Sequence, residues 1–267
     1  MPRRPDRYSH GHHESVLRSH QWRTVANSAA FLVPYLAPGQ ALLDLGCGPG
    51  TITRELAQLV SPGRVIGVDR AAEVIDEARR AATDAANLTF EVGDAYSLAF
   101  DDASFDVVYA HQVLQHLTDP VAAAAETRRV LAPGGLLAAR DADYGAFVWD
   151  PPDPRLDRWL ELYHDITGVN GADADAGRHL PGWIRDAGFS LRDVTSSTWT
   201  FHTPEERAWW GGLWADRVRH SEFAAQGLEY GLTSFKELQG MADAFLEWAR
   251  AEDGLFVVVH VEVIAAA

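Results

Sequence analysis

The chain has 267 residues, 47% hydrophobic and 23% charged, a composition that fits one large α/β domain or one domain carrying a cap. Its 38 acidic residues against 23 basic ones give a formal charge of −15, so the basic face needed for a general grip on nucleic acid is missing. No run reaches the roughly 18–20 apolar residues of a membrane span, no signal-peptide core is seen, and the lone Cys47 allows no intrachain disulfide, so a cytoplasmic protein is expected.

Leu17, Val25, Ala29, Leu32 and Leu36 recur at near-helical spacing, so residues 14–36 read as one leading amphipathic helix that Pro38-Gly39 ends. Residues 41–45 form a short apolar strand, 46–50 a glycine-rich turn, and Ile52, Leu56 and Leu59 mark the face of the next helix. Residues 64–69 are a strand and 72–82 a helix, with Asp76 and Arg80 paired at i, i+4. Residues 88–92 and 105–110 are further strands. Asp119-Pro120 has the form of an N-cap with proline in the first turn, opening a helix to Leu131. Pro133-Gly134-Gly135 is a tight turn before a fifth strand, residues 136–140. Strands alternating with helices imply a parallel sheet covered on both faces. Ligands of such sheets sit outside the carboxyl ends of the strands, so the residues just after each strand are the candidates.

Beyond Arg140 the rhythm changes. Trp149-Asp150-Pro151-Pro152 opens a proline-rich break before a helix over residues 155–167. Residues 171–177 are small and acidic and read as a mobile loop. A short helix (180–187), a strand (189–200), several helical pieces (204–252) and a last strand (255–264) follow. This region reads as two cap insertions around the last sheet elements. It also holds eight of the nine tryptophans, from Trp149 onward. Trp183 and Trp199 are expected to fill cap cores, and Trp210 shares a helix face with Trp214 beside Trp209; a Trp-rich cap suits a flat or greasy ligand.

The turn Asp44-Leu45-Gly46-Cys47-Gly48-Pro49-Gly50-Thr51 carries the strongest signal. Glycines let a ligand approach the backbone, and the following helix offers free N–H groups. The spacing is G-x-G-x-G, with Thr51 where a dinucleotide-binding loop needs its last glycine, which disfavours an NAD oxidoreductase. Asp44 would face a phosphate badly and suits a cationic ligand. The run resembles the first motif of class I S-adenosylmethionine-dependent methyltransferases. Asp69, ending the second strand, Gly93-Asp94-Ala95 after the third, Phe105-Asp106-Val107-Val108 and Leu131-Ala132-Pro133-Gly134-Gly135 resemble the later motifs, so the likeness spans residues 40–140. Within that family the chain is most similar to the ubiquinone/menaquinone C-methyltransferases and to small-molecule O-methyltransferases of natural-product pathways.

The resemblance implies a Rossmann-like α/β fold with a seven-stranded, mostly parallel sheet in the order 3-2-1-4-5-7-6. It implies S-adenosylmethionine as cofactor and S-adenosylhomocysteine as product. Asp44, Gly46, Cys47, Gly48, Gly50 and Thr51 would bracket the methionine part, Asp69 the ribose, Arg70 the adenine face, and Gly93, Asp94 and Ala95 the adenine edge. His111 and Gln112 would line the pocket. Tyr8, Trp22 and Arg23 are carried over as contacts of the cofactor carboxylate from an N-terminal lid. Cys47 reads as a small packing residue.

Methyl transfer needs an aligned acceptor, exclusion of water and, for some acceptors, a base. His116 follows strand four and Asp141 follows strand five; a carboxylate bonded to one ring nitrogen would orient the other as a base. Asp143 and Tyr144 are alternatives. His10, His12, His13 and His20 match no standard metal spacing, so no metal is expected. The chain divides into an N-terminal lid (1–39), a cofactor-binding core (40–145) and cap insertions with the last strands (146–267). The expected activity is methyl transfer to a small, largely apolar acceptor, oxygen before carbon or nitrogen. The alternatives are a methyltransferase-fold cyclase or a non-methylating binder of the cofactor.

Overall fold

A computed structural model describes residues 6–9, 11, 14–82 and 85–267. The elements run in chain order α1 (Glu14–Gln21), α2 (Val25–Ser28), β1 (Leu42–Leu45), α3 (Thr51–Val60), β2 (Val65–Asp69), α4 (Ala72–Ala81), β3 (Leu88–Val92), β4 (Phe105–His111), α5 (Pro120–Val130), β5 (Leu131–Ala142) and β6 (Val148–Asp150). They continue with α6 (Pro154–Asn170), α7 (Ala176–Asp186), β7 (Ser190–Phe201), α8 (Pro204–His220), α9 (Glu222–Glu229), α10 (Phe235–Arg250) and β8 (Leu255–Ala266).

One sheet runs β3-β2-β1-β4-β5-β8, with β7 on the far side of β8 and the three-residue β6 extending the line of β5 along β8. Leaving out β6, this is the expected order 3-2-1-4-5-7-6. The first five strands pair in parallel; β8 is antiparallel to both β5 and β7. The inner parallel strands are largely apolar on both faces because both are covered, whereas the edge strand β3 leaves Thr89, Glu91 and Val92 exposed. Leu43, Leu45, Val108 and Leu137 face α5 and α7, whereas Leu42, Val107 and Ala138 face α3 and α4. A third core gathers α6, α8, α9 and α10 around Trp159, Trp214 and Phe256, so the two insertions share one interior.

Four local expectations change. The leading helix is broken: Thr24 and Asn27 form a capping box that starts α2 afresh after α1, and Val33–Tyr35 is a 3-10 turn. The tight turn Pro133-Gly134-Gly135 lies within β5 as an irregularity, with Gly134 in the left-handed region, because Phe105 pairs with Leu131 before the register shifts to Val107 and Leu136. Residues 171–177 are not a free loop. The Asp173 N–H donates to the Gln115 carbonyl (3.0 Å), Asp175 accepts from the Gly145 N–H (2.7 Å), and α7 begins at Ala176. Trp183 packs on the sheet through α7 and not in the cap core. Among the described residues no helix is long and apolar enough to cross a membrane.

Candidate active site

The carboxyl ends of β1, β2 and β4 and the loop after β3 open on a cavity of about 840 Å³, a volume typical of small-molecule sites. The strand alternation that sends Leu43 and Leu45 to one face sends Asp44 to the other, beneath α3. There the Thr53 hydroxyl donates to its Oδ2 (2.6 Å). Burial pushes the Asp44 carboxyl up to about 7; the Thr53 bond opposes this and the charge of Asp69 adds to it. Gly46 adopts φ +70°, and a Cβ there would lie 2.3 Å from Val113 Cγ2, so the turn packs against the segment after β4. Gly48, at φ +56°, has only His20 Nδ1 near its open side (3.6 Å), leaving the backbone accessible from the cavity.

Asp69 is held by two backbone donors, Gly48 N–H to Oδ2 (3.1 Å) and Ala71 N–H to Oδ1 (3.0 Å). Each oxygen keeps a lone pair for a further donor. Asp94 accepts from the Tyr96 N–H (3.0 Å), and Gly93, Ala95 and Arg70 share its wall. Cys47 is buried; burial first, then Asp44 and Asp69, pushes its thiol up, which fits the packing role and not a nucleophile. Thr51 lines the cavity and its hydroxyl donates to the His20 carbonyl (3.1 Å). Gly50 is not on the wall: its Cα faces Phe90 and Ala78, and its φ of +77° turns the chain into α3.

Gln112 is the hub at the end of β4. It is a non-glycine residue in the left-handed region, φ +54°, a conformation that costs about 1–3 kcal/mol. Its N–H donates to the Arg140 carbonyl (2.7 Å) and its Oε1 accepts from Arg23 Nη2 (2.6 Å). Arginine can only donate, so the amide orientation is fixed; Nε2 donates to His260 Nε2 (2.9 Å), which puts the imidazole proton on Nδ1. His111 lies beside this hub, buried, with no hydrogen-bond partner on either ring nitrogen among the described residues. Burial and then Arg23 hold it well below its ordinary range.

The N-terminal strap supplies Tyr8, His20 and Arg23 to the cavity wall. Asp6 ties the strap down by accepting from the Thr118 N–H (2.8 Å) and the Tyr96 hydroxyl (3.0 Å), while Arg70 donates to its carbonyl (3.2 Å). Trp22 is elsewhere. It packs on Trp199, Trp209 and Phe201 at 5.2–5.8 Å, outside the cavity, because the break before α2 turns it toward β7 and α8. His10, His12 and His13 lie outside the described residues.

His116 and Asp141 do not form the expected pair. His116 lines the cavity, with Gln115 Nε2 at 2.9 Å from its Nε2 and Tyr8 edge-on to its ring. The carboxylate of Asp141 is buried behind the wall and faces the backbone amides of Gln115, Val113 and Leu114. The short 3-10 turn at Leu114–His116 presents those amides to Asp141 and sends the imidazole the other way. Asp143 is engaged by Arg178 through two nitrogens, away from the cavity. Tyr144 stacks on Tyr163 at 4.0 Å and lines a side niche. Asp6, Glu222 and Gln226 of the cavity wall, and Arg217 of the niche, carry no local motif; only their placement marks them.

An open α/β sheet with a glycine turn, a ribose-type carboxylate and a buried carboxylate suited to a cation defines an enzyme that uses a nucleoside cofactor bearing positive charge. A methyltransferase-domain family model matches residues 43–139. The chain is 33% identical to an uncharacterized methyltransferase of Schizosaccharomyces pombe over 96% of its own length and 95% of that protein's. It is 34% identical to an O-methyltransferase of Penicillium expansum over 60% and 55% of the two lengths. Its fold matches the crystal structure of a putative methyltransferase from Bacillus halodurans at TM-score 0.59 and 17% identity, covering 89% of this chain and 97% of that one. The chain belongs to the S-adenosylmethionine-dependent methyltransferases, of small-molecule type, and S-adenosylmethionine is its cofactor.

Proposed function

We propose that this enzyme methylates an oxygen of a small, largely apolar acceptor in a natural-product pathway by in-line displacement. The observation that carries the reading is the 840 Å³ cavity. It is roomy enough for a cofactor and an acceptor, and it adjoins a niche walled by Trp199, Trp210 and Trp214. The O-methyltransferase relative adds weight to oxygen. In this reading residues 1–39 are the lid, 40–145 the cofactor half and 146–267 the cap with the last strands.

The groups on the cavity wall fit the cofactor. Asp69 would take the ribose hydroxyls, two donors for two acceptor oxygens; Asp94 with Gly93 and Ala95 would take the adenine edge beside Arg70. Asp44 would neutralise the cofactor's positive end, with Gly46 and Gly48 admitting its chain, and Arg23 and Tyr8 would meet its carboxylate. When bound, the cofactor supplies an electrophilic methyl group on a sulfonium. Thr51, His111 and Gln112 would line the cofactor pocket, and the N-terminal strap would keep water out.

Burial, with Arg23 adding to it, holds His116 down to about 3. The imidazole is therefore neutral at working pH and a feeble base. We read His116 as an acceptor-positioning residue and not as half of a dyad with Asp141. His116→Ala should raise KM more than it lowers kcat, with S-adenosylhomocysteine affinity unchanged. A kcat loss of about 100-fold or more with a shifted pH–rate profile would restore the base. The overall reading is tested with isotopically labelled S-adenosylmethionine and a fractionated small-molecule extract. Label in one compound together with S-adenosylhomocysteine supports it; turnover of a compound without S-adenosylhomocysteine indicates a cyclase instead.

A further inference from the structure

The niche beside the main cavity holds about 20 Å³, room for one water-sized group and not for a ring. It shares Tyr8, His20, Arg23 and Gln112 with the main cavity, so it is a side chamber of that cavity. In a chain with 38 acidic residues, no carboxylate of the described residues lines it. Two guanidinium groups do, Arg23 and Arg217.

Arg217, on α8, is buried. Its Nη2 donates to the Ser15 carbonyl (3.3 Å) and to Ser19 Oγ (3.0 Å), and its charged end lies 4.6 Å from the Trp214 ring centre. No ion pair involves it or Arg23 among the described residues. Arg140, also fully buried, shows the contrast: it has Glu262 at 3.2 Å. Three N–H donors of the niche residues, Arg23 Nε, Arg217 Nε and Trp210 Nε1, are buried with no hydrogen-bond acceptor among the described residues. Uncompensated buried charge is costly, and buried donors are normally satisfied. Arg23 also feels the like charge of Arg217, and with burial as the larger cause its guanidinium is held down to about 10. Two positive charges, each with a neutral partner only, and three N–H groups left over describe a chamber for a small oxyanion.

We propose that this chamber seats one oxygen of an acidic group of the methyl acceptor, a carboxylate held at its mouth by Arg217 and Trp210, while the acceptor's planar body lies in the main cavity. The acceptor class is thus an aromatic or polyunsaturated carboxylic acid. This rests on the methyl-transfer reading and names the acceptor within it. The carboxylate is the anchor, and the methylated atom is a separate group on the body. Two sources of a carboxylate compete for the chamber, the acceptor and the cofactor. Arg217 decides between them, because it lines the niche alone whereas Arg23 reaches both cavities.

The test is tryptophan-fluorescence titration of the full chain with 1-naphthoate, 2-naphthoate and cinnamate against their primary amides. S-adenosylhomocysteine binding is followed separately by calorimetry. The wild type should bind at least one acid about tenfold or more tighter than its amide, the scale of one charge-assisted hydrogen bond. Arg217→Met should abolish that preference and leave S-adenosylhomocysteine affinity within about twofold. Because Arg217 also ties α1 to α8, Ser19→Ala is the companion variant: it removes the side-chain half of that tie, leaves the Ser15 carbonyl bond and the charge, and should keep the acid preference. Three results overturn the proposal: no acid preference in the wild type, a preference that survives Arg217→Met, or a fall in S-adenosylhomocysteine affinity in Arg217→Met with acid binding unmoved. Failure of the methyl-transfer reading shows separately, as no label transferred to any extract fraction, acidic or neutral.

Discussion

Asp44→Asn should make the protein more stable and a worse enzyme. Burial raises the Asp44 carboxyl from its ordinary 3.8 to about 7 in the folded chain, whereas in the unfolded chain it returns to 3.8. The folded state therefore holds the proton more tightly. The contribution is fully present below the unfolded value and is lost progressively as pH rises from about 4 to about 7, after which it is flat. Roughly three pKa units correspond to about 4 kcal/mol of stability forgone above neutral pH. Asparagine keeps the shape, and its oxygen still accepts from Thr53, so most of that amount should return. Urea titrations at pH 4 and pH 8 measure it: the variant should match the wild type at the acid end and exceed it by about 2–4 kcal/mol at the alkaline end. S-adenosylhomocysteine affinity should rise with pH in the wild type through about 7, as the ligand's ammonium group selects the ionised carboxylate, and should be weak and flat in the variant. A variant no more stable than wild type at pH 8, at unchanged m-value, would refute the assignment of a strained, ligand-ready carboxylate.

Three further outcomes follow from packing. Gly46→Ala forces a Cβ to 2.3 Å from Val113 Cγ2 at positive φ, so cofactor affinity should fall and Tm drop, with Val113→Ala in the same chain restoring part of both; a silent Gly46→Ala counts against the tight turn. Glu262→Gln leaves the fully buried Arg140 without a counter-charge and should cost about 3–5 kcal/mol in urea unfolding, whereas loss of an exposed pair such as Arg79–Asp76 should cost under about 1 kcal/mol. Trp22→Ala should lower Tm by emptying the stack on Trp199 and Trp209 yet leave S-adenosylhomocysteine affinity unchanged; a loss of cofactor binding would return Trp22 to the site.

The sheet and the cofactor loop were legible in the sequence because both are written locally. Alternating strands and helices, the Asp119-Pro120 cap and the turn from Asp44 to Thr51 each depend on residues within one turn of one another. Helix ends were less legible: the leading apolar stripe hid a second start at Thr24, since periodicity reports a face and not continuity. The His116–Asp141 pairing followed from strand adjacency, which is correct, but adjacency of strands does not fix where a side chain points once a 3-10 turn intervenes.

The eight late tryptophans were visible from composition, and so was the excess of acid over base; neither indicated a site. Tertiary structure alone placed Trp199, Trp210 and Trp214 around one chamber and brought Arg23 and Arg217, far apart in the sequence, to its wall with no acid of the described residues lining it. A buried, unpaired charge cannot be read from sequence, because burial and pairing are properties of the packed chain. Sequence by itself determined the sheet, the loop and the cofactor; the folded chain decided which buried charges were left without an ion pair among the described residues.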